Sequence, residues 1–254
     1  KEVYDVLDLC LSCKGCKSEC PSNVDMAKFK AEFLYQWYKS HGIPLRTRLI
    51  ANISKINRMG MLFPAFFNFV ATNKATSFIL KKTLGFATAR SIPKLYKFTL
   101  KTWLNTQTRL AGKDQDTAFQ KGKVYLFADE FTDYNDVEVG IKAIQVLNKL
   151  GYKVEIPAHT ESGRAYLSKG LVQNAKELAL QNVNLLKEII SEATPLIGIE
   201  PSAILTFRDE YPDLVGDTLK QQALALGKYC LMFDEFIMRE VERGNISSAQ
   251  FTTA

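Results

Sequence analysis

The sequence predicts an α+β protein overall: a helical region carrying a cysteine loop, followed by an α/β domain with a parallel sheet. Three observations predict it. Four of the five cysteines fall between Cys10 and Cys20. The stretch from Phe33 to Lys113 holds fourteen Lys or Arg and no Asp or Glu, with its aromatics at helical spacing. From Lys123 onward, short apolar runs alternate with helical periods, the pattern of a layered α/β domain.

The first element is an amphipathic helix with Val3, Val6, Leu7 and Leu9 apolar, leading into Cys10-x2-Cys13-x2-Cys16-x3-Cys20-Pro21. This is the spacing of bacterial-type iron-sulfur loops. A cubane needs thiolates converging on several corners of a small box, and two-residue gaps let a tight turn aim successive sulfurs inward. Gly15 is expected to permit that turn, Pro21 to set the exit, and Ser22 to Asp25 to open a helix near Met26. The leading region is therefore helical and ferredoxin-like, with Cys10, Cys13, Cys16 and Cys20 as ligands of a 4Fe-4S cluster. A four-cysteine zinc site is the competing reading, although such sites usually use two separated Cys pairs. Two unstrained disulfides do not fit so short a loop.

In two-cluster proteins the fourth cysteine of such a run ligates the other cluster. Cys10, Cys13 and Cys16 then want a further thiolate, and Cys20 a second cluster, from sequence outside this chain. Cys230, in the apolar run Tyr229 to Phe233, reads as a small buried hydrophobe. Together with a start inside a helix and an end just past Gly244-Asn245, this predicts a fragment of something larger.

Composition narrows the classes further. A hydrophobic share of 46% is that of an ordinary globular protein. Two histidines cannot build a multi-histidine metal site. Thiols confined to one metal-type loop suit a reducing compartment, predicting a cytoplasmic protein, with a peripheral position at the inner face of the membrane as a variant.

The basic segment is rich in aromatics, from Phe63, Phe66, Phe67 and Phe69 to Phe78, Phe86, Tyr96, Phe98 and Trp103. Its longest apolar run, Met59 to Ala71, contains Pro64 and Asn68 and falls short of the ~20 residues needed to span a bilayer. The favoured reading is core-packing helices with a solvated basic face. Contact with an anionic membrane surface, in which Lys81 and Lys82 would take part, or docking on an acidic partner, are the alternatives. No nucleic-acid module accompanies the charges, so nucleic acid is not an expected partner.

A polar linker is expected from Asn105 to Gly122, dividing the chain into 1–32, 33–113 and 114–254. Beyond it, Lys123 to Ala128 reads as a strand, Val137 to Leu150 as a helix closed by Gly151, and Lys153 to Pro157 as a second strand. A long helix from about Leu167 to Glu192, a strand from Pro195 to Ile199, and helices near Gly216 to Leu226 and Asp234 to Arg243 follow. Parallel sheets of this kind bind ligands at the C-terminal strand ends. There the sequence places His159-Thr160-Glu161-Ser162-Gly163-Arg164 and Glu200-Pro201-Ser202-Ala203. No dinucleotide or Walker loop is present, and helix capping explains either group by itself.

Leu9 to Ala27, Ala89-Arg90-Ser91-Ile92-Pro93, Gly163 to Leu171 and Ile199 to Pro212 resemble the iron-sulfur region of FAD-linked oxidoreductases of the D-2-hydroxyglutarate and D-lactate dehydrogenase type. The α/β part is similar to the cysteine-rich domain of heterodisulfide reductase and of glycolate and glycerol-3-phosphate dehydrogenase iron-sulfur subunits. The resemblance implies a flavin domain with FAD and a first ferredoxin loop upstream, two 4Fe-4S clusters in the whole protein, and a second α/β repeat downstream. It implies oxidation of a 2-hydroxy acid such as D-lactate, glycolate or D-2-hydroxyglutarate, with electrons leaving toward an acceptor, a membrane quinone being one candidate.

The sequence departs from that family where it has Cys-Cys-Gly, replaced here by Glu161-Ser162-Gly163, and where it often has a further cysteine, replaced by Ala203. Neither Ser162 nor Ala203 supplies a thiolate, so a cluster in the α/β domain is not expected. Arg164, Lys169, Glu200 and Arg208 remain as a candidate anion or partner-orienting site. The rival function is a non-catalytic assembly module whose cysteine loop is metal-free or holds zinc.

Overall fold

The computed structural model describes residues 2–111 and 119–251. The expected boundary at 113/114 and the end of the chain at Ala254 lie outside them. The leading region comprises α1 (Glu2–Asp8), α2 (Gly15–Glu19) and α3 (Met26–His41). Asp25 starts α3 as expected, its carboxylate accepting the N–H groups of Ala27 (3.0 Å) and Lys28 (3.1 Å). α1 buries only Leu7, leaving Val3, Val6 and Leu9 exposed.

The basic segment folds as α4 (Leu45–Ala51), α5 (Ile53–Gly60), α6 (Pro64–Thr72), α7 (Lys74–Leu84) and α8 (Leu100–Ala111). The expectation that its aromatics form core is overturned for one group of them. Phe63, Phe66, Phe69 and Phe78 are 74, 69, 57 and 50% exposed, whereas Phe67 turns inward beside Gly60. Lys81 is not available at the surface alongside Lys82 either. It is buried, donating to the carbonyls of Thr88 (3.0 Å) and Arg90 (2.8 Å). The expected linker from Asn105 is helical as far as Ala111, because Leu100 and Leu104 of α8 pack into the α/β core.

The α/β layer runs β1 (Lys123–Phe127), α9 (Val137–Lys149), β2 (Lys153–Glu155), α10 (Arg164–Ser168), α11 (Val172–Leu186) and β3 (Leu196–Gly198). Short helices α12 (Pro201–Ile204), α13 (Thr206–Asp209) and α14 (Tyr211–Leu214) follow, then α15 (Asp217–Gly227), β4 (Cys230–Met232) and α16 (Phe233–Glu242). The four strands are all parallel, in the order β2-β1-β3-β4. β4 is additional to the strands the sequence predicts, since Cys230 to Met232 is too short to show a period.

Alternation along β1 divides the core, because successive strand residues point to opposite faces. Tyr125 and Phe127 face a cluster with Ala179, Val183, Ile204, Phe207 and Tyr211. Val124, Leu126 and Ala128 face α8, α9 and α16 through Leu100, Ile144, Leu147 and Phe236. The single long helix expected from Leu167 to Glu192 is broken into α10 and α11 at Gly170, which has φ 69°, and α11 ends at Leu186. A side chain at Gly170 would collide with Leu34 of α3. That close approach joins the leading helices to the α/β layer, through Leu34, Tyr38 and Ala51 packed on Tyr166, Leu167, Leu171 and Ala175.

Candidate functional site

The cysteine loop and the short exit after it contain every non-glycine residue of positive φ among the described residues: Ser12 (56°) and Lys14 (63°) within the loop and Asn23 (54°) just past Pro21. Such conformations are costly for residues with a Cβ and persist where surrounding contacts impose them. Gly15, expected to make the turn, instead begins α2, so the left-handed positions fall on Ser12 and Lys14. At Ser12 the turn directs a backbone amide toward sulfur. Ser12 donates its N–H to Cys10 Sγ at 3.4 Å. The amides of Val24, Ser22 and Asn23 hold the Cys20 thiol below its ordinary range.

All four loop cysteines are free thiols, Cys13 and Cys16 exposed, Cys10 and Cys20 half-buried. Thiols in this run with amide donors aimed at them suit a metal-sulfur cluster by the chemistry of the donor set. Among the described residues, no three Cys, His, Asp or Glu side chains are gathered closely enough to hold a metal ion. The thiols are thus brought to one loop without being drawn into a closed cage. Cys230 is fully buried in the sheet and burial pushes its thiol up, away from thiolate chemistry.

Charged groups of the α/β layer grip this loop. Arg164, at the start of α10, donates Nη2 to the Ser12 carbonyl (2.5 Å) and Nη1 to Glu210 (3.0 Å). Lys14 meets the same Glu210 carboxylate at 2.5 Å and Asp209 at 2.8 Å. Lys28 pairs with Asp213, and Lys30 donates to the Cys10 carbonyl at 2.6 Å. Glu210 is buried, which raises its pKa, while Lys14 and Arg164 act against that rise. A cavity of about 30 Å³ lies between the two parts, lined by Ser12, Lys28, Arg164, Ser168 and Glu210 among others.

Arg164 is itself held from the sheet. Ser162, fully buried, donates Oγ to Glu130 Oε1 (2.7 Å) and its N–H to Oε2 (3.1 Å), and accepts the Arg164 N–H at 3.1 Å. The Ser162 carbonyl accepts the Tyr211 hydroxyl at 2.9 Å, and that hydroxyl accepts from Asn182 at 2.8 Å. Burial, opposed by the Ser162 donors, lifts Glu130 to about 7. Asp129, its neighbour at the end of β1, is also raised by burial. Neither acid is among the residues singled out in the sequence. An apolar strand ending in two adjacent carboxylates, at the edge where parallel sheets place their polar groups, is the signal that could have found them.

The other candidate site residues are engaged separately. Glu200 caps α12, accepting the Ser202 N–H (3.2 Å) and Oγ (2.6 Å). Arg208 spans both carboxylate oxygens of Glu235 at 3.0 Å. Lys169 is half-buried, its pKa lowered by burial and then by Lys30. Ala203 is core, packed with Ile204 and Phe207. His159 tilts over Phe127 at 4.5 Å, and burial holds its imidazole down to about 3, neutral at ordinary pH.

The D-2-hydroxyglutarate dehydrogenase of Haemophilus influenzae is 27% identical over 218 residues, which are 84% of this chain and 21% of that protein. That of Escherichia coli is 26% identical over 219 residues, 85% of this chain and 21% of that protein. The chain is similar to part of a dehydrogenase. One subunit of the anaerobic glycerol-3-phosphate dehydrogenase of Escherichia coli is 24% identical over 173 residues, 67% of this chain and 42% of that subunit. The chain spans about a fifth of the length of the hydroxyglutarate dehydrogenases it matches. No family model matches the chain, and no solved structure matches it.

Proposed function

We propose that this chain is the electron-transfer part of an oxidoreductase, in which Cys10, Cys13, Cys16 and Cys20 hold iron-sulfur metal. The carrying observation is the coincidence of the four-cysteine run with the left-handed residues and sulfur-directed amides. A cluster held there supplies one-electron transfer at a potential set by its surroundings. Cys10, Cys13 and Cys16 serve one cubane, and Cys20 a second whose remaining thiolates come from the rest of the protein. Lys30 places positive charge against the Cys10 carbonyl, favouring an anionic centre, while Lys14 and Arg164, paired with Glu210, fix the loop on the sheet layer. The names of the relatives and the family resemblance support a 2-hydroxy acid as the reductant, oxidised at FAD in another part of the protein, with the flavin domain as the partner of this chain.

Anaerobic purification of the full-length protein, with iron, sulfide, zinc and flavin quantitation and EPR after dithionite reduction, tests this. About eight irons and one flavin per chain are expected, as two cubanes require. Zinc, or no metal, would sink the proposal and leave an assembly module.

A further inference from the structure

One apolar face of the helical segment has nothing covering it among the described residues. Phe63, at the N-cap of α6, and Phe66 and Phe69 within it recur every three residues along one side, 74, 69 and 57% exposed, with Leu62 beside them at 73%. The opposite side of α6 is anchored. Asn68 exchanges two hydrogen bonds of 2.8 Å with the Leu95 backbone, and Ala71 is buried. α7 packs against α6 and adds Phe78, with the Lys82 ammonium 5.9 Å from its ring. Lys74 and Lys82 are exposed, and no Asp or Glu occurs anywhere from Phe33 to Lys113.

We propose that this α6–α7 face is a docking surface for an anionic lipid bilayer, the phenylalanines entering the headgroup boundary while Lys74 and Lys82 meet lipid phosphates. Phenylalanine and leucine beside lysine, with carboxylates absent, is the composition of interfacial membrane helices, whereas protein–protein contact regions are depleted in lysine. The face protrudes as exposed rings, which suits insertion into a deformable surface. It does not cross: no helix of the described residues is long and apolar enough to span a membrane. The surface stands independently of the metal bound by the cysteine loop.

The test is flotation of the full-length protein with vesicles of phosphatidylcholine containing about 30% phosphatidylglycerol, against pure phosphatidylcholine. Binding to the anionic vesicles only is expected, with partitioning reduced more than about thirty-fold in Lys74→Glu/Lys82→Glu, since each lost basic side chain forfeits about a five-fold gain near such a surface and each new carboxylate adds repulsion. Phe63→Ser/Phe66→Ser/Phe69→Ser should abolish it, with the fold checked by circular dichroism. A control of equal charge change on α9, Lys142→Glu/Lys149→Glu, should retain binding to within a few-fold. Failure of the full-length protein to float, equal loss in the α9 control, or equal binding to pure phosphatidylcholine overturns the proposal.

Discussion

The α/β layer and the helices before it bury opposite charges. In the α/β layer the buried acidic and basic groups are carboxylates: Asp129, Glu130, Asp133, Glu210 and Glu240. In the preceding helices they are Lys30 and Lys81. Three of these carboxylates join elements far apart in the chain, Glu130 to Ser162, Glu210 to Lys14 and Arg164, and Glu240 to Tyr152 at 2.7 Å, while Asp129 bonds locally to Phe131 and Thr132. Lys81 closes only its own helix end onto Thr88 and Arg90. Buried polar groups must find partners, and most of the sheet layer's buried carboxylates find them across the fold whereas the α7 end finds them nearby. The charge split in the sequence is thus steeper than the split on the surface, because several acids lie inside.

The largest effect that sharpens this contrast is between two phenylalanines. Phe207 is fully buried, its ring 5.0 Å from that of Phe127 and 4.5 Å from that of Tyr211. Phe207→Ala should cost about 3–5 kcal/mol in denaturant unfolding. Phe66→Ala, at a 69% exposed position, should change stability by no more than about 0.5 kcal/mol. Similar losses at both sites would mean that the α6 face is packed in the protein in solution.

Next comes the carboxylate that joins the two regions. Glu210→Ala leaves Lys14 and Arg164 without the group they share, and breaking so enclosed a set should cost about 3 kcal/mol. Amide hydrogen exchange of residues 10–20 should rise with it, because the Ser12 carbonyl loses a positioned donor. Lys28→Ala, which removes an exposed pair with Asp213, should cost less than about 1 kcal/mol. Unchanged exchange in Glu210→Ala would show that packing of Leu34 and Tyr38 alone holds the loop in place.

The parallel layer is legible in the sequence because β1, α9, β2, β3, α15 and α16 each carry an unbroken period or a glycine stop. Pattern misleads where tertiary contact overrides it. Nothing local distinguishes Lys81 from Lys82, and only the carbonyls that the fold brings to Lys81 bury it. The break at Gly170 follows from the approach of Leu34, more than a hundred residues earlier. Capping is readable at Glu200, whereas the role of Arg164 is not, since its partners Ser12 and Glu210 are assembled only by docking of the leading helices.

Glu130 supplies the finest test of the contrast, because its effect has a direction in pH. Its carboxyl moves from an ordinary 4.5 to about 7 in the folded protein, chiefly through burial. Between those values the folded state binds more protons than the unfolded one, so stability is complete below about 4.5, falls as pH rises, and levels off above about 7. The full fall attributable to this group is up to about 3 kcal/mol. Asp129 and Glu210 are raised as well, so the wild-type slope is not due to Glu130 alone. The difference between wild type and Glu130→Gln isolates it: unfolding free energies measured from about pH 5 to 8 should fall less steeply in the variant. Parallel slopes would mean that Glu130 stays ionised, held by the Ser162 hydroxyl and amide strongly enough to outweigh its burial. The sheet end would then carry a fixed negative charge, bonded through Ser162 to the backbone at Arg164, at every pH in that range.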